Sequence, residues 1–247
     1  MCFRIYLLKI DFSLYFVLMP KTQFARYQML RSKISVILFV LASLLLSGCK
    51  VDSVYDVYSA DLLEVTESNS VISSPGQVRI EVSGCEENIG KVMDIAKNYY
   101  EVASEAVCAS KGMDNFVEFS TDVPLVPFGQ RLPGNSPTGL AVRKNSETEF
   151  ELFAVIEKGR FAGMEAEVKK MDSTASLEIN LVTVIFNNDL REPIQIETPS
   201  AWINNEPQTF GSITLDRRQK AEIILSNVFS STLRSNNQAS IGKMTIK

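Results

Sequence analysis

Hydrophobic residues are distributed in two different ways along the chain. Residues 1–48 contain long apolar runs, above all Ile34–Leu46, whereas apolar residues recur at short intervals further on. Alternating apolar and polar residues over Gln77–Ser83 predict a half-buried strand, and apolar residues at helical spacing within Glu86–Val107 predict a helix. The segment before residue 49 therefore needs an explanation separate from that of the folded part.

The remaining elements follow one another in an irregular order. A second helix is predicted by the spacing of Phe161, Met164, Val168 and Met171. Further strands are predicted at Asn115–Val126, Gly139–Lys144, Thr148–Glu157, Leu177–Phe186, Pro193–Glu197, Ser212–Leu215, Glu222–Leu225 and Lys243–Ile246. This order predicts an α+β fold with a single, mostly antiparallel sheet and one or two packed helices.

The stretch between residue 48 and the first predicted strand is expected to be a tether. Lys50–Glu64 carries spaced apolar residues, and Ser59 is placed to cap a short helix over Asp61–Val65. Glu67–Gly76 is polar and ends in Pro-Gly, which is typical of a linker. The expected organisation is a leader over 1–48, a tether with a short helix over 49–76 and an α+β domain over 77–247.

The apolar run of the leader has the flanks of a cleavable signal peptide. Met29–Lys33 is cationic, Ile34–Leu46 is apolar and 13 residues long, and the small residues Ser47 and Gly48 follow. A spanning helix needs roughly 20 apolar residues, so cleavage is favoured over spanning. The alternative is a buried core helix that ends in Gly-Cys. Because Met29 alone begins a leader of ordinary size, we expect the true start at Met29 or Met19.

The four residues Leu46-Ser47-Gly48-Cys49 resemble the lipobox of bacterial lipoproteins. The resemblance implies recognition of Leu46, Ser47 and Gly48 by signal peptidase II, cleavage before Cys49, and lipid on that cysteine. Lys50 rather than Asp follows, which in enterobacteria-like cells implies export to the outer membrane, facing the periplasm. Several acyl chains, at ~0.8 kcal/mol per buried CH2, give a lasting anchor.

Charge and composition exclude several functions. Residues 1–48 carry six Lys/Arg and one Asp, which leaves 19 Lys/Arg, 28 Asp/Glu and a net charge of −9 after cleavage. Such an acidic chain repels phosphate backbones, so nucleic-acid binding is not expected. The chain has no histidine, which rules out His-dependent catalytic triads and His-liganded metals. Glycine-rich phosphate-binding motifs are also absent, so no cofactor is expected.

Three patterns could still carry chemistry or binding. Ser240 to Lys243 matches the S-x-x-K motif of acylating serine enzymes, but the motifs that accompany it are missing. Glu147, Glu149 and Glu151 share one face of a strand; they are either catalytic carboxylates or the solvent-exposed side of that strand. The only tryptophan, Trp202, lies in a turn-rich run, where it either contacts a partner or plugs the end of a sheet.

A second resemblance concerns the mature chain. Cys49-Lys50-Val51-Asp52, Cys85 with Cys108, Gly112-Met113-Asp114 and Val123-Pro124-Leu125 look like uncharacterised lipoproteins encoded by enterobacterial prophages. The resemblance implies a phage-linked envelope role and no catalytic residue. The opening residues also resemble the inner-membrane ring lipoproteins of type III secretion.

Cys85 and Cys108 are the two mature cysteines besides Cys49, and an oxidising compartment favours a disulfide between them. A bridge needs Cα atoms within about 7 Å, so the helix must stop near Tyr99 or Tyr100.

Together these patterns predict a lipid-anchored, periplasm-facing α+β domain that binds or shields an envelope protein without catalysis. The competing hypotheses are a secretion-ring subunit and a histidine-free periplasmic hydrolase.

Overall fold

The structure is a computed structural model that describes residues 49–112, 114–171 and 176–247. Leu46, Ser47, Gly48 and both candidate start methionines lie outside the described residues. The elements in chain order are β1 (Cys49–Tyr58), α1 (Ser59–Ser68), β2 (Ile72–Val82), α2 (Cys85–Tyr99), β3 (Glu101–Val102), β4 (Val107–Lys111), β5 (Asp114–Pro127), β6 (Thr138–Lys144), β7 (Glu149–Ile156), α3 (Lys158–Met171), β8 (Leu177–Asn187), β9 (Ile194–Ile203), β10 (Glu206–Leu215), β11 (Lys220–Leu225), α4 (Asn227–Asn236) and β12 (Gln238–Ile246).

All the described strands belong to one sheet, which closes on itself. Their order is β10-β9-β11-β8-β1-β2-β5-β6-β7-β12, and the short strands β3 and β4 pair with β5. The sheet closes because β9 also pairs with β12, from Glu197 opposite Lys243 to Ile194 opposite Ile246. The α+β prediction is confirmed. The sheet is mixed rather than mostly antiparallel, since the pairs β1–β8 and β5–β6 are parallel.

The core lies inside the closed sheet, and helices fill its ends. Alternate residues of each strand point inward, as in β7, where Phe150 and Leu152 are buried. Leu62 and Val65 of α1 and Phe229 and Leu233 of α4 join the same hydrophobic cluster. A second cluster packs α2 and α3 against the inner faces of β1, β2 and β5. Within the described residues, no helix is both long enough and apolar enough to span a bilayer.

The expected tether over 49–76 is wrong, because most of it belongs to the sheet. Strand β1 starts at Cys49 and pairs with β2 on one side and β8 on the other. Val51, Tyr55 and Val57 point into the core, and each is at most 2% exposed. The prediction failed because the partners of β1 are distant in sequence, with Cys49 opposite Leu177. The short helix predicted over Asp61–Val65 is confirmed, since these residues lie within α1. Ser59 does not cap it, because Ser59 is the first residue of the helix and its hydroxyl donates to the Asn187 carbonyl.

The disulfide follows the sequence prediction. Cys85 and Cys108 are bonded through their sulfur atoms, with Cα atoms 5.7 Å apart. As the bridge requires, α2 ends at Tyr99, and the chain returns as β4, which pairs with β5. The bond therefore ties the first residue of α2 to the outermost strand on that side of β5.

Two other elements differ from expectation. The described residues contain four helices, of which three were predicted; the fourth is α4, where the polar segment Asn227–Asn236 forms a helix with Phe229 and Leu233 among its buried residues. The turn-rich run around Trp202 is a strand hairpin, β9–β10, with a two-residue turn at Asn204 and Asn205. Both have positive φ, which a tight hairpin turn of this kind requires.

Candidate functional site

Cys49 is the first residue of a central strand. It lies opposite Leu177 in the parallel pair β1–β8, and its side chain belongs to the cluster that contains Val51 and Ile80. In the full-length chain Cys49 is 5% exposed. A lipid on its sulfur would therefore have to leave at the end of the strand, where the preceding chain enters the domain.

Lys50 fixes the start of β1 through both its backbone and its side chain. Its backbone N–H donates to Glu81 Oε2 at 3.1 Å, and its Nζ donates to Asp114 Oδ2 at 2.7 Å. The distance from Nζ to Glu81 Oε2 is 3.7 Å. Glu81 comes from β2 and Asp114 from the start of β5, so one lysine connects the ends of three strands.

The electrostatics of the Lys50–Asp114 pair favour the charged form of both residues. Glu81 is 2% exposed, and a buried carboxylate is costly unless cations or N–H donors surround it. The hydrogen bond to Asp114 is the largest influence on the pKa of Lys50 and raises it; burial, the second influence, lowers it, and the charge of Glu81 raises it again by less. The hydrogen bond from Lys50 correspondingly lowers the pKa of Asp114.

The three glutamates on β7 and the turn before it are engaged in ion pairs on the outer face of the sheet. Glu151 lies 2.5 Å from Arg143 and accepts a hydrogen bond from Ser240 at 2.7 Å. Burial alone would raise the pKa of Glu151, but Ser240, Arg143 and Lys243 together lower it. Asn145 and Lys243 lower the pKa of Glu149. Such lowered pKa values are the opposite of what a general acid requires.

The S-x-x-K pattern of Ser240 and Lys243 is structural. The Ser240 hydroxyl donates to Glu151, while Lys243 lies 3.4 Å from Glu149. Both residues belong to β12, where they face β7 and bind its carboxylates. The serine therefore donates to an ionised carboxylate with a lowered pKa, which is a weaker base than the Lys or His that activates an acylating serine.

Trp202 does not plug the end of a sheet. It lies on β9 opposite Pro207 of β10 and is 41% exposed. Phe210 of β10, opposite Pro199, is 84% exposed. β10 pairs with β9 alone among the described strands, so its other edge offers backbone N–H and C=O groups.

A shallow cleft of about 550 Å³ lies beside the last turns of α2. Its walls include Met93, Lys97, Tyr100, Val102 and Glu105, so one side chain of each charge borders an apolar floor. No local sequence pattern indicates this cleft, because one of its walls is formed by β3 and the loop after it, which fold back beside α2. In the described parts of the chain, no three His, Cys, Asp or Glu side chains are grouped to hold a metal ion.

The geometry defines a closed mixed sheet whose first strand begins at the candidate lipidation site. Residues 51–247 match the model of a family described as a domain of unknown function, DUF7424, so the chain belongs to that family. No curated protein and no solved structure shows a significant match to the chain.

The role of Glu151 can be tested through the pH dependence of stability. Because its pKa is lower in the folded state, its contribution is present above the unfolded value near 4.5 and is lost as pH falls through the folded value. We expect Glu151→Gln to lower the free energy of unfolding at pH 7 by about 1 kcal/mol and to weaken its decline below pH ~4.5. Urea unfolding at several pH values measures both effects.

Glu147→Gln is the matched control, since that side chain is 92% exposed and its ion pair with Lys144 lies at the surface. It should leave stability and its pH dependence unchanged. Equal behaviour of the two variants would contradict a structural role for Glu151.

Proposed function

We propose that this protein is an envelope lipoprotein, anchored through Cys49 to the outer membrane and facing the periplasm, that binds or shields a protein partner without catalysis. One observation carries the proposal. Cys49 is the last residue of the lipobox-like sequence and the first residue of β1. Cleavage before Cys49 would leave every described strand and the whole family match, residues 51–247, intact.

The candidate catalytic side chains form hydrogen bonds and ion pairs with neighbouring strands, which supports a binding function over hydrolysis. Glu149, Glu151 and Ser240 are held by neighbouring strands, and their partners favour ionised carboxylates. These contacts join β6, β7 and β12 on the outer face of the sheet. The resemblance to prophage lipoproteins extends the proposal to a phage-linked role in the envelope.

The β9–β10 hairpin is the surface that best suits a protein partner. Trp202 and Phe210 are the two large aromatic side chains that it exposes. Large aromatic residues are enriched among the interface residues that contribute most of the binding energy. The open edge of β10 can hydrogen-bond to an extended segment of another chain, as in recognition by strand addition. Lipid offers no such row of donors and acceptors, so we assign this edge to a protein.

Lipidation is tested first. The full chain, expressed with its own leader in a Gram-negative bacterium, should yield a membrane-bound protein whose terminal peptide begins at a lipid-modified Cys49. Cys49→Ala should abolish the modification and the membrane association, because no other residue supplies the acceptor thiol at the cleavage site. Mass spectrometry of the membrane fraction measures this.

Cys2→Ala is the matched control, because it removes a leader cysteine outside the lipobox-like sequence and should leave lipidation unchanged. Recovery of a soluble wild-type protein that retains residues 1–48 would contradict the anchor.

The contact surface is tested in intact cells with a photo-reactive phenylalanine analogue in place of Phe210. We expect one discrete cross-linked protein species, because the hairpin is proposed to hold a partner. The same analogue at Val228, which is 71% exposed on α4, is the control and should give no such species. The species should also disappear with Cys49→Ala, since the anchor raises the local concentration of the domain near its partner. Equal cross-linking from both positions would contradict the assignment of the hairpin.

A further inference from the structure

No linker separates the proposed anchor from the folded domain, because Cys49 is itself the first residue of β1. A tether of 25 residues could hold a domain up to about 80 Å from the membrane. Here Cys49 is already paired with Leu177, and the next backbone N–H donates to the buried carboxylate of Glu81. The inference therefore rests on the proposed lipidation, and the structure adds that the anchored residue cannot move independently of the sheet.

The strand register identifies what surrounds the anchor. Continuing the β1–β2 pairing from Val51 opposite Ile80 brings Val82 level with Cys49. Val82 lies opposite Asn115, and Asn115 opposite Ser110 of β4. Lys111 lies opposite Asp114 one position further along, so this residue pair lies beyond Cys49 at the same end of the sheet.

Charges at this end have both signs. Lys50 and Lys111 are found there, and the exposed Glu86 and Glu87 of the first turn of α2 follow Val82 by a few residues. A strong attraction to anionic lipid is not expected from such a mixture. Contact with the bilayer would be imposed by the covalent attachment, and so would depend little on salt.

The opposite end of the sheet is distant from any anchor at Cys49. Tyr58 ends β1 opposite Asn187, and Asn187 lies opposite Lys220. A strand of ten residues spans roughly 30 Å at about 3.3 Å per residue. Lys111 and Lys220 are thus two exposed lysines at opposite ends of one sheet.

We propose that the domain sits directly on the membrane in a fixed orientation, with the Cys49 end of the sheet, including Lys111 and Asp114, against phospholipid head groups. The Tyr58 end, with Lys220, faces away from the bilayer. The domain is held rigidly against the membrane and is not connected to it through a flexible linker. The partner surface on β9–β10 is consequently presented at a defined angle.

The test uses single fluorophores on the lipidated protein. Lys111→Cys and Lys220→Cys are each labelled with a thiol-reactive dye, because the lipid occupies Cys49 and the disulfide occupies Cys85 and Cys108. The protein is reconstituted into vesicles of phosphatidylethanolamine and phosphatidylglycerol that contain a head-group-linked nitroxide quencher. We expect the dye at position 111 to lose most of its fluorescence and the dye at position 220 to keep it, at both low and high salt.

A linker variant separates orientation from anchoring. Insertion of eight Gly and Ser residues between Cys49 and Lys50 adds up to about 25 Å of flexible chain while Lys50 keeps its partners. This variant should show weak and similar quenching at both positions. Equal quenching at 111 and 220 without the linker would overturn the fixed orientation while leaving the anchor intact. Absence of lipid in the mass spectrum would instead overturn the proposed anchor itself.

Discussion

The pairing of β1 between β2 and β8 is the constraint on which the rest of the structure depends. It joins a strand near the start of the folded chain to one about 130 residues later, with Cys49 opposite Leu177 and Tyr58 opposite Asn187. The same strand supplies Val51 to one hydrophobic cluster and Tyr55 and Val57 to the other. Lys50 secures its first hydrogen bonds through Glu81 and Asp114. Loss of β1 would open the sheet at its centre and expose both clusters.

This constraint changes how an anchor at Cys49 would act. In a protein with a long linker, the lipid determines only the compartment and the local concentration of the domain. When the anchored residue is part of the central strand, the lipid also determines which surfaces face the bilayer and which face the periplasm. Cys49 would then determine both the cleavage site and the orientation of the domain. Its neighbour Lys50 would hold the start of β1 in place through its partners on two other strands.

The sequence predicted elements whose pattern is local. Gln77–Ser83 alternates regularly and lies almost entirely within β2, and Thr148–Glu157 corresponds to β7. The disulfide could be predicted because Cys85 and Cys108 are the only two cysteines that follow Cys49 in the sequence, and its geometry correctly limited the length of α2.

Elements whose stability comes from distant partners could not be predicted in this way. β1 has Asp52 and Ser53 within it, both buried, which interrupt the apolar alternation. Pro199 and Pro207 suggested turns, yet Pro207 lies on the edge strand β10, and Pro199 lies on β9 between the residues that pair with β12 and those that pair with β11. Proline is tolerated at such positions because it need not remove a ladder hydrogen bond. In the candidate site, Cys49 could be identified from its neighbours in sequence. Asp114, which holds Lys50, lies 64 residues away and carries no local sign of that role.

Amide hydrogen exchange of the protein purified from cells that express the full chain tests the central claim most directly, namely that the residue proposed to carry the lipid begins a core strand. The amides of Val51 to Val57 should exchange as slowly as those of the partner strand from Val182 to Phe186, because the two strands are hydrogen-bonded to each other along this stretch. Exchange of residues 51–57 at the rate of an unstructured segment, with β8 still protected, would contradict the account and restore the flexible tether.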